Sequence, residues 1–80
     1  MDTFHVYSRQ GCRLCEVLIE QLLPLLRGKA DVAIHDIDTC PDWHEKYAVR
    51  IPVLEFEGQV VSQFQLDHEA VTRVLNRCFI

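Results

Sequence analysis

Two cysteines separated by two residues, Cys12 and Cys15, are the pair in this sequence best suited to chemistry. They follow a β-rich run at residues 3–7 and open a stretch whose apolar residues have helical spacing. A helix N-terminus carries about half a positive charge and unpaired N–H groups, so it stabilises a thiolate. We therefore predict that Cys12 is a nucleophile. Cys15, nearly one turn later, is placed to attack a mixed disulfide at Cys12 and close a Cys12–Cys15 disulfide.

Charged side chains flank the cysteine pair. Arg9 and Arg13 favour a thiolate at Cys12, and Glu16 opposes them. The C-x-x-C spacing alone is also compatible with half of a zinc site. Its position between a strand and a helix favours the redox interpretation.

Alternating strands and helices are predicted to position the pair. Strands are predicted at residues 3–7, 31–37, 52–56 and 59–63. Helices are predicted at 12–27, from the 39–42 segment, with Pro41 in the first turn, to about 48, and after Asp67, which caps a helix with its apolar face at 70, 71, 74, 75 and 78. Pro24 is expected to kink the first helix or end it early. The first two strands should be parallel because a helix joins them, and the last two should form a hairpin through the turn at Gly58. The resulting β-α-β-α-β-β-α order, an α/β four-stranded mixed sheet flanked by helices, is that of the thioredoxin fold.

The composition restricts the classes of protein that the chain can be. With 80 residues it is predicted to form one domain over 1–80, and 49% hydrophobic residues exclude a disordered chain. Its net charge of −4, without a cluster of Lys and Arg, argues against nucleic acid and anionic membranes. Without a membrane helix or a signal-peptide pattern at residues 1–5, we predict a cytoplasmic protein and, by default, a monomer.

Pro52 opens the third predicted strand, where proline is tolerated because only one N–H is lost. In the predicted fold this strand begins beside the helix start that carries the cysteines. A cis Ile51–Pro52 bond is expected there, with the backbone of Ile51 turned outward to pair with an extended substrate. Arg50 precedes this pair and is interpreted either as a guide for an anionic substrate or as a solvated side chain.

Residues 9–15 (RQGCRLC) and 47–54 (YAVRIPVL) resemble glutaredoxins, as does the turn at Gly58. Together with the element order, the resemblance covers essentially the whole chain. More narrowly, the C-x-L-C site and the R-I-P-V stretch are similar to those of short glutaredoxin-like proteins.

The resemblance implies a thioredoxin fold with a Cys12 nucleophile, a Cys15 resolving thiol and a cis Pro52. The implied activity is thiol–disulfide exchange, which reduces protein disulfides or glutathionylated proteins. Arg9 matches a basic residue that helps to hold glutathione in glutaredoxins. With Arg13, Ile51 and Pro52, it completes the predicted substrate-binding residues, and no metal is expected.

Two stretches depart from the usual glutaredoxin pattern. Arg13-Leu14 stand where C-P-Y-C sites have Pro-Tyr, and residues 62–67 (SQFQLD) contain no Gly-Gly for the γ-glutamyl end of glutathione. Both glutathione and thioredoxin reductase are therefore predicted electron donors. No bound cofactor is expected, although glutathione is a candidate co-substrate.

Other residues leave further interpretations open. Cys40 should emerge at the same sheet edge as Cys12 and is either a third redox thiol or a helix-cap residue. With His44 and the C-x-x-C pair it could complete a Cys₃His zinc set, which would make the chain a zinc-held sensor domain. Trp43 and Tyr47 are expected to pack together or to line the substrate groove.

A third function is compatible with the same fold. Residues 52–58 (PVLEFEG) resemble the proline-strand-turn segment of the N-terminal domain of glutathione transferases, which is a binding module. The retained cysteine pair favours the oxidoreductase over this alternative.

Overall fold

The computed structural model describes residues 2–78 and confirms the predicted order of elements. The strands are β1 (Thr3–Ser8), β2 (Asp31–Asp36), β3 (Val53–Phe56) and β4 (Gln59–Gln63), and the helices are α1 (Arg13–Leu26), α2 (Pro41–Tyr47) and α3 (His68–Cys78). A 3₁₀ turn (Ile37–Thr39), which was not predicted, follows β2. It includes Ile37, which was expected to be the last residue of that strand. No helix in the described part of the chain is long and apolar enough to cross a membrane.

The sheet has the strand order β2-β1-β3-β4, with β1 parallel to β2 and antiparallel to β3. The β3–β4 hairpin is closed by Glu57 and Gly58, both with positive φ (52° and 78°), as a two-residue type I′ turn requires. At the other end of the sheet, Ser8 pairs with Asp36. The segments that leave β1 and β2 therefore lie side by side, one leading to Cys12 and the other to Cys40.

One face of the sheet carries the larger hydrophobic core, against α1 and α3. Alternate side chains of β1, Phe4 and Val6, are fully buried there, as the period of two along a strand requires. The helices contribute buried side chains at helical spacing, namely Leu18, Leu22 and Leu26 from α1 and Val71, Val74 and Leu75 from α3. This packing fixes α1, and therefore the cysteine pair at its start, against the sheet.

The opposite face of the sheet carries α2 and a cluster of aromatic and polar side chains. Tyr7 stacks on Tyr47 with ring centroids 4.2 Å apart. The buried Glu55 accepts a hydrogen bond of 2.6 Å from the hydroxyl of Tyr47. Burial and this hydrogen bond raise the pKa of Tyr47 above its ordinary value.

His5 and His35 are half-buried neighbours on this second face. Their ring nitrogens Nδ1 and Nε2 lie 2.9 Å apart. Burial, and then the nearby His5, lower the pKa of His35. One ring must donate and the other accept, so this contact requires that the two rings are not both protonated.

Some local expectations need correction. Pro24 does not end α1 early: it is exposed and lies in the last turn, and the helix continues to Leu26. The start of α2 has proline in its first turn as expected, and Cys40 occupies the N-cap position, although its side chain makes no capping hydrogen bond. Thr39 instead donates its hydroxyl to the carbonyl of Asp36.

The predicted cap and apolar stripe of α3 are largely confirmed. The carboxylate of Asp67 accepts the N–H of Ala70 at 3.0 Å. Val71, Val74 and Leu75 are buried as the spacing predicted. The side chain of Cys78, placed on the same stripe by its spacing, lies outside the described residues.

Candidate active site

Cys12 and Cys15 are joined by a disulfide at the start of α1, with Cα atoms 5.2 Å apart. Cys12 is the N-cap residue of the helix, and its Sγ accepts the backbone N–H of Cys15 at 3.2 Å. Cys15 is only 2% exposed, whereas Cys12 is half-buried. The helix therefore places an accessible sulfur at its positive end and a shielded sulfur beside it.

A groove of about 320 Å³ lies beside the disulfide. The loop at residues 8–11 and both cysteines form one wall, and Ile34 and Asp36 of β2 form another. The register of β1 and β2 explains this arrangement, because the parallel strands end together at this edge. A substrate in this groove would contact the disulfide directly.

The two arginines predicted to bind substrate are each paired with a carboxylate. Arg9 Nη2 lies 3.2 Å from the carboxylate of Asp38, in the 3₁₀ turn. Arg13 Nη1 lies 3.2 Å from Glu16 Oε2, one turn along α1. Both pairs are exposed, so each stabilises the fold by no more than about 1 kcal/mol. At the site, each guanidinium therefore has a carboxylate beside it that opposes its positive charge.

The Ile51–Pro52 peptide bond is cis, as expected. Pro52 is buried, and its carbonyl accepts the N–H of Phe64 at 2.9 Å. Phe64 in turn lines a second groove, of about 410 Å³, together with Leu14 from between the cysteines. Phe64, which follows β4, thus links the proline segment to the groove at the start of α1. The sequence analysis gave this residue no role.

Other candidate residues lie away from the two grooves. Trp43 and Tyr47 pack with Tyr7 on the second face of the sheet and line neither groove. The guanidinium of Arg50 lies 5.6 Å from the centre of the Tyr47 ring, so it is neither fully solvated nor in a groove. Cys40 is a half-buried free thiol before α2.

The zinc alternative finds no support in the geometry. Within residues 2–78, no group of three or more His, Cys, Asp or Glu side chains is arranged to hold a metal ion. His44 Nε2 lies 3.8 Å from Oδ1 of Asp38, the carboxylate that pairs with Arg9.

Comparison with known proteins identifies both a family and a fold. The Glutaredoxin-like domain (DUF836) family matches the chain over residues 3–76. No curated protein matches its sequence significantly.

Several solved structures are similar to the chain. A thioredoxin mutant from Halobacterium salinarum NRC-1 has a TM-score of 0.62 and 23% identity, covering 94% of this chain and 72% of its own. Fasciola hepatica thioredoxin has a TM-score of 0.60 and 20% identity, covering 94% and 78%. The oxidised form of mitochondrial thioredoxin 3 from Saccharomyces cerevisiae has a TM-score of 0.61 and 18% identity, covering 95% and 77%. At these identities the similarity establishes the thioredoxin fold, in agreement with the prediction.

Proposed function

The chain belongs to the Glutaredoxin-like domain (DUF836) family, and from this premise we propose that it is a thiol–disulfide oxidoreductase with Cys12 and Cys15 as its redox pair. The observation that carries the proposal is the difference between the two sulfurs at the start of α1. Cys12 is accessible at the helix N-terminus, and Cys15 is buried within bonding distance of it. A nucleophile and a resolving thiol need this difference.

The proposed reaction moves two electrons from the protein to its substrate. The thiolate of Cys12 attacks one sulfur of a substrate disulfide, so that this bond breaks, a mixed disulfide forms and the leaving thiolate takes up a proton. Cys15 then loses its proton and attacks Cys12 Sγ, which releases the second substrate sulfur as a thiol. The Cys12–Cys15 disulfide closes, and two external thiols or one dithiol return the two electrons and are themselves oxidised to a disulfide.

The substrate and the electron donor are part of the proposal. Protein disulfides or glutathionylated proteins are the substrates, and glutathione or thioredoxin reductase is the donor. Arg9, Arg13, Ile51 and Pro52 are proposed as the residues that contact the substrate around Cys12. Arg9 lines the groove beside the disulfide, and the carbonyl of Pro52 accepts the N–H of Phe64, which supports the assignment of these two. Arg13 and Ile51 are included because they follow Cys12 and precede Pro52 in the chain.

Redox titration with identification of each cysteine tests the proposal. The protein is equilibrated in glutathione buffers of graded potential, quenched with an alkylating reagent and analysed by peptide mass. We expect Cys12 and Cys15 to oxidise together with a midpoint between about −180 and −270 mV. In the Cys15→Ser variant, Cys12 should accumulate as a glutathione mixed disulfide, because the resolving thiol is absent.

Cys40→Ser is the matched control and should leave the midpoint unchanged. A pair that stays reduced across the series, or a Cys15→Ser variant that traps no adduct, would contradict the proposal. The binding-module alternative would then become the better interpretation, since it does not depend on the cysteines.

A further inference from the structure

The turn that follows β4 holds Phe64 in a backbone conformation that aromatic residues rarely adopt. Its φ is +67°, in the left-handed region. The N–H of Gln65 donates to the carbonyl of Gln63 at 2.7 Å, which makes Phe64 the central residue of a three-residue γ-turn. Glycine would adopt this conformation without steric cost. The position therefore carries an aromatic side chain at the expense of local stability.

The ring of Phe64 is only partly buried. Phe64 is 48% exposed, so about half of its surface remains in contact with water. Non-glycine residues in such conformations cluster at functional sites, where the surrounding structure holds them. Here the N–H of Phe64 is held by the carbonyl of Pro52 at 2.9 Å.

The half-exposed ring shares a groove with a residue that stands between the two cysteines. Phe64 and Leu14 line the same groove, and Leu14, between the two cysteines, is 51% exposed. Val17 and Leu66 extend the apolar lining. Two large apolar side chains thus remain about half exposed in one groove, and one of them belongs to the segment that joins the two cysteines.

The charges near the disulfide disfavour a small anionic substrate. Arg9 and Arg13 are paired with Asp38 and Glu16, and Asp36 adds another carboxylate to the wall of the neighbouring groove. An anion would need to compete with these carboxylates for the guanidinium groups. An apolar side chain would instead gain from burial against Leu14 and Phe64.

We propose that Phe64 and Leu14 form an apolar clamp for the residue adjacent to cysteine in a protein disulfide, with Phe64 as the determinant of specificity. The inference rests on the proposed function and names its substrate class, an apolar peptide segment around the disulfide. The clamp orients the substrate sulfur toward Cys12. The exchange itself remains the two-electron reaction described above, in which the protein dithiol is oxidised and the peptide disulfide is reduced.

Single-turnover oxidation of the reduced protein tests the clamp. The probes are two synthetic peptides, each with one cysteine in a disulfide with 2-mercaptoethanol, flanked by Phe and Leu in one peptide and by Ser in the other. Oxidised glutathione is the third probe. We expect the apolar peptide to oxidise Cys12 and Cys15 about tenfold faster than either other probe at low concentration, as burial of an apolar side chain allows.

Phe64→Gly should reduce this advantage to less than about threefold, through a lower rate with the apolar peptide. Glu57→Gly is the matched control, because Glu57 also has a positive φ (52°) but lies in the turn between β3 and β4. It should keep the full preference. Urea titration checks that both variants remain folded, as expected because glycine suits both conformations.

The outcomes separate the two proposals. If the wild-type protein is oxidised by all three probes at similar rates, or if Phe64→Gly keeps the preference, the clamp is wrong and the oxidoreductase stands. If none of the probes oxidises the cysteine pair, the proposed function fails, and the clamp fails with it.

Discussion

At the scale of single residues, the least expected feature is a carboxylate inside the second face of the sheet. Glu55 is only 8% exposed, in the middle of β3. The hydroxyl of Tyr47 donates a hydrogen bond of 2.6 Å to it. A buried carboxylate without a donor is costly, so Tyr47 makes this position tolerable.

Removing that donor should destabilise the protein. We expect Tyr47→Phe to lower the free energy of unfolding by about 1–3 kcal/mol, because Glu55 is left buried without its partner. Urea denaturation measures this loss. In the control, Glu55→Met combined with Tyr47→Phe should recover most of it, since both polar groups are then gone. Equal stability of Tyr47→Phe and wild type would show that Glu55 needs no donor.

At the scale of elements, the three helices begin with different chemistry. α1 begins at a cysteine sulfur, α2 at Cys40 without a capping side chain, and α3 at the carboxylate of Asp67. A carboxylate is the stronger acceptor at a helix start, whereas a sulfur is a weak one. The cap of α1 is therefore weaker than that of α3, but its capping residue can react.

The cap of α3 can be tested directly. Asp67→Ala should lower the free energy of unfolding by about 1 kcal/mol, because the N–H of Ala70 loses its acceptor. Asp67→Asn keeps an acceptor at the same place and should lower the free energy of unfolding by only about a few tenths of a kcal/mol. Thermal or urea denaturation distinguishes the two variants. Equal losses would mean that the negative charge matters and the capping hydrogen bond does not.

At the scale of the whole molecule, two hydrophobic clusters on opposite faces of one sheet support an 80-residue chain. A chain of this length has an unfolding free energy of about 4–12 kcal/mol. Because the larger cluster joins α1 and α3 to the sheet, it also determines where the cysteine pair lies. A single core defect should therefore affect the whole fold.

Two neighbouring leucines of α1 allow the effect of a core defect on stability to be tested. Leu22 is fully buried, whereas Leu23 is 43% exposed. We expect Leu22→Ala to lower the free energy of unfolding by about 3–5 kcal/mol, through lost burial and a cavity. Leu23→Ala should cost less than about 1 kcal/mol. Urea titration of both variants checks the difference, and similar losses would place the core elsewhere on the helix.

The amino-acid sequence by itself determined the order of the elements and the place of the cysteine pair. Both depend on local patterns. Apolar spacing distinguishes a helix from a strand, and the turn at Gly58 and the carboxylate of Asp67 act on residues next to them in the chain. The position of Cys12 at a helix start follows from the same local pattern. Pro24 shows the limit of such rules, since α1 continues past it.

Only the tertiary structure decided how distant residues meet. Arg9 pairs with Asp38 across the ends of two strands, and Glu55 is buried against Tyr47. The left-handed conformation of Phe64 likewise depends on the carbonyl of Pro52. These contacts arise because packing brings together groups far apart in sequence, where burial and pairing outweigh local preference. The sequence therefore places the reactive sulfurs, whereas the folded sheet sets the charges and the apolar surface around them.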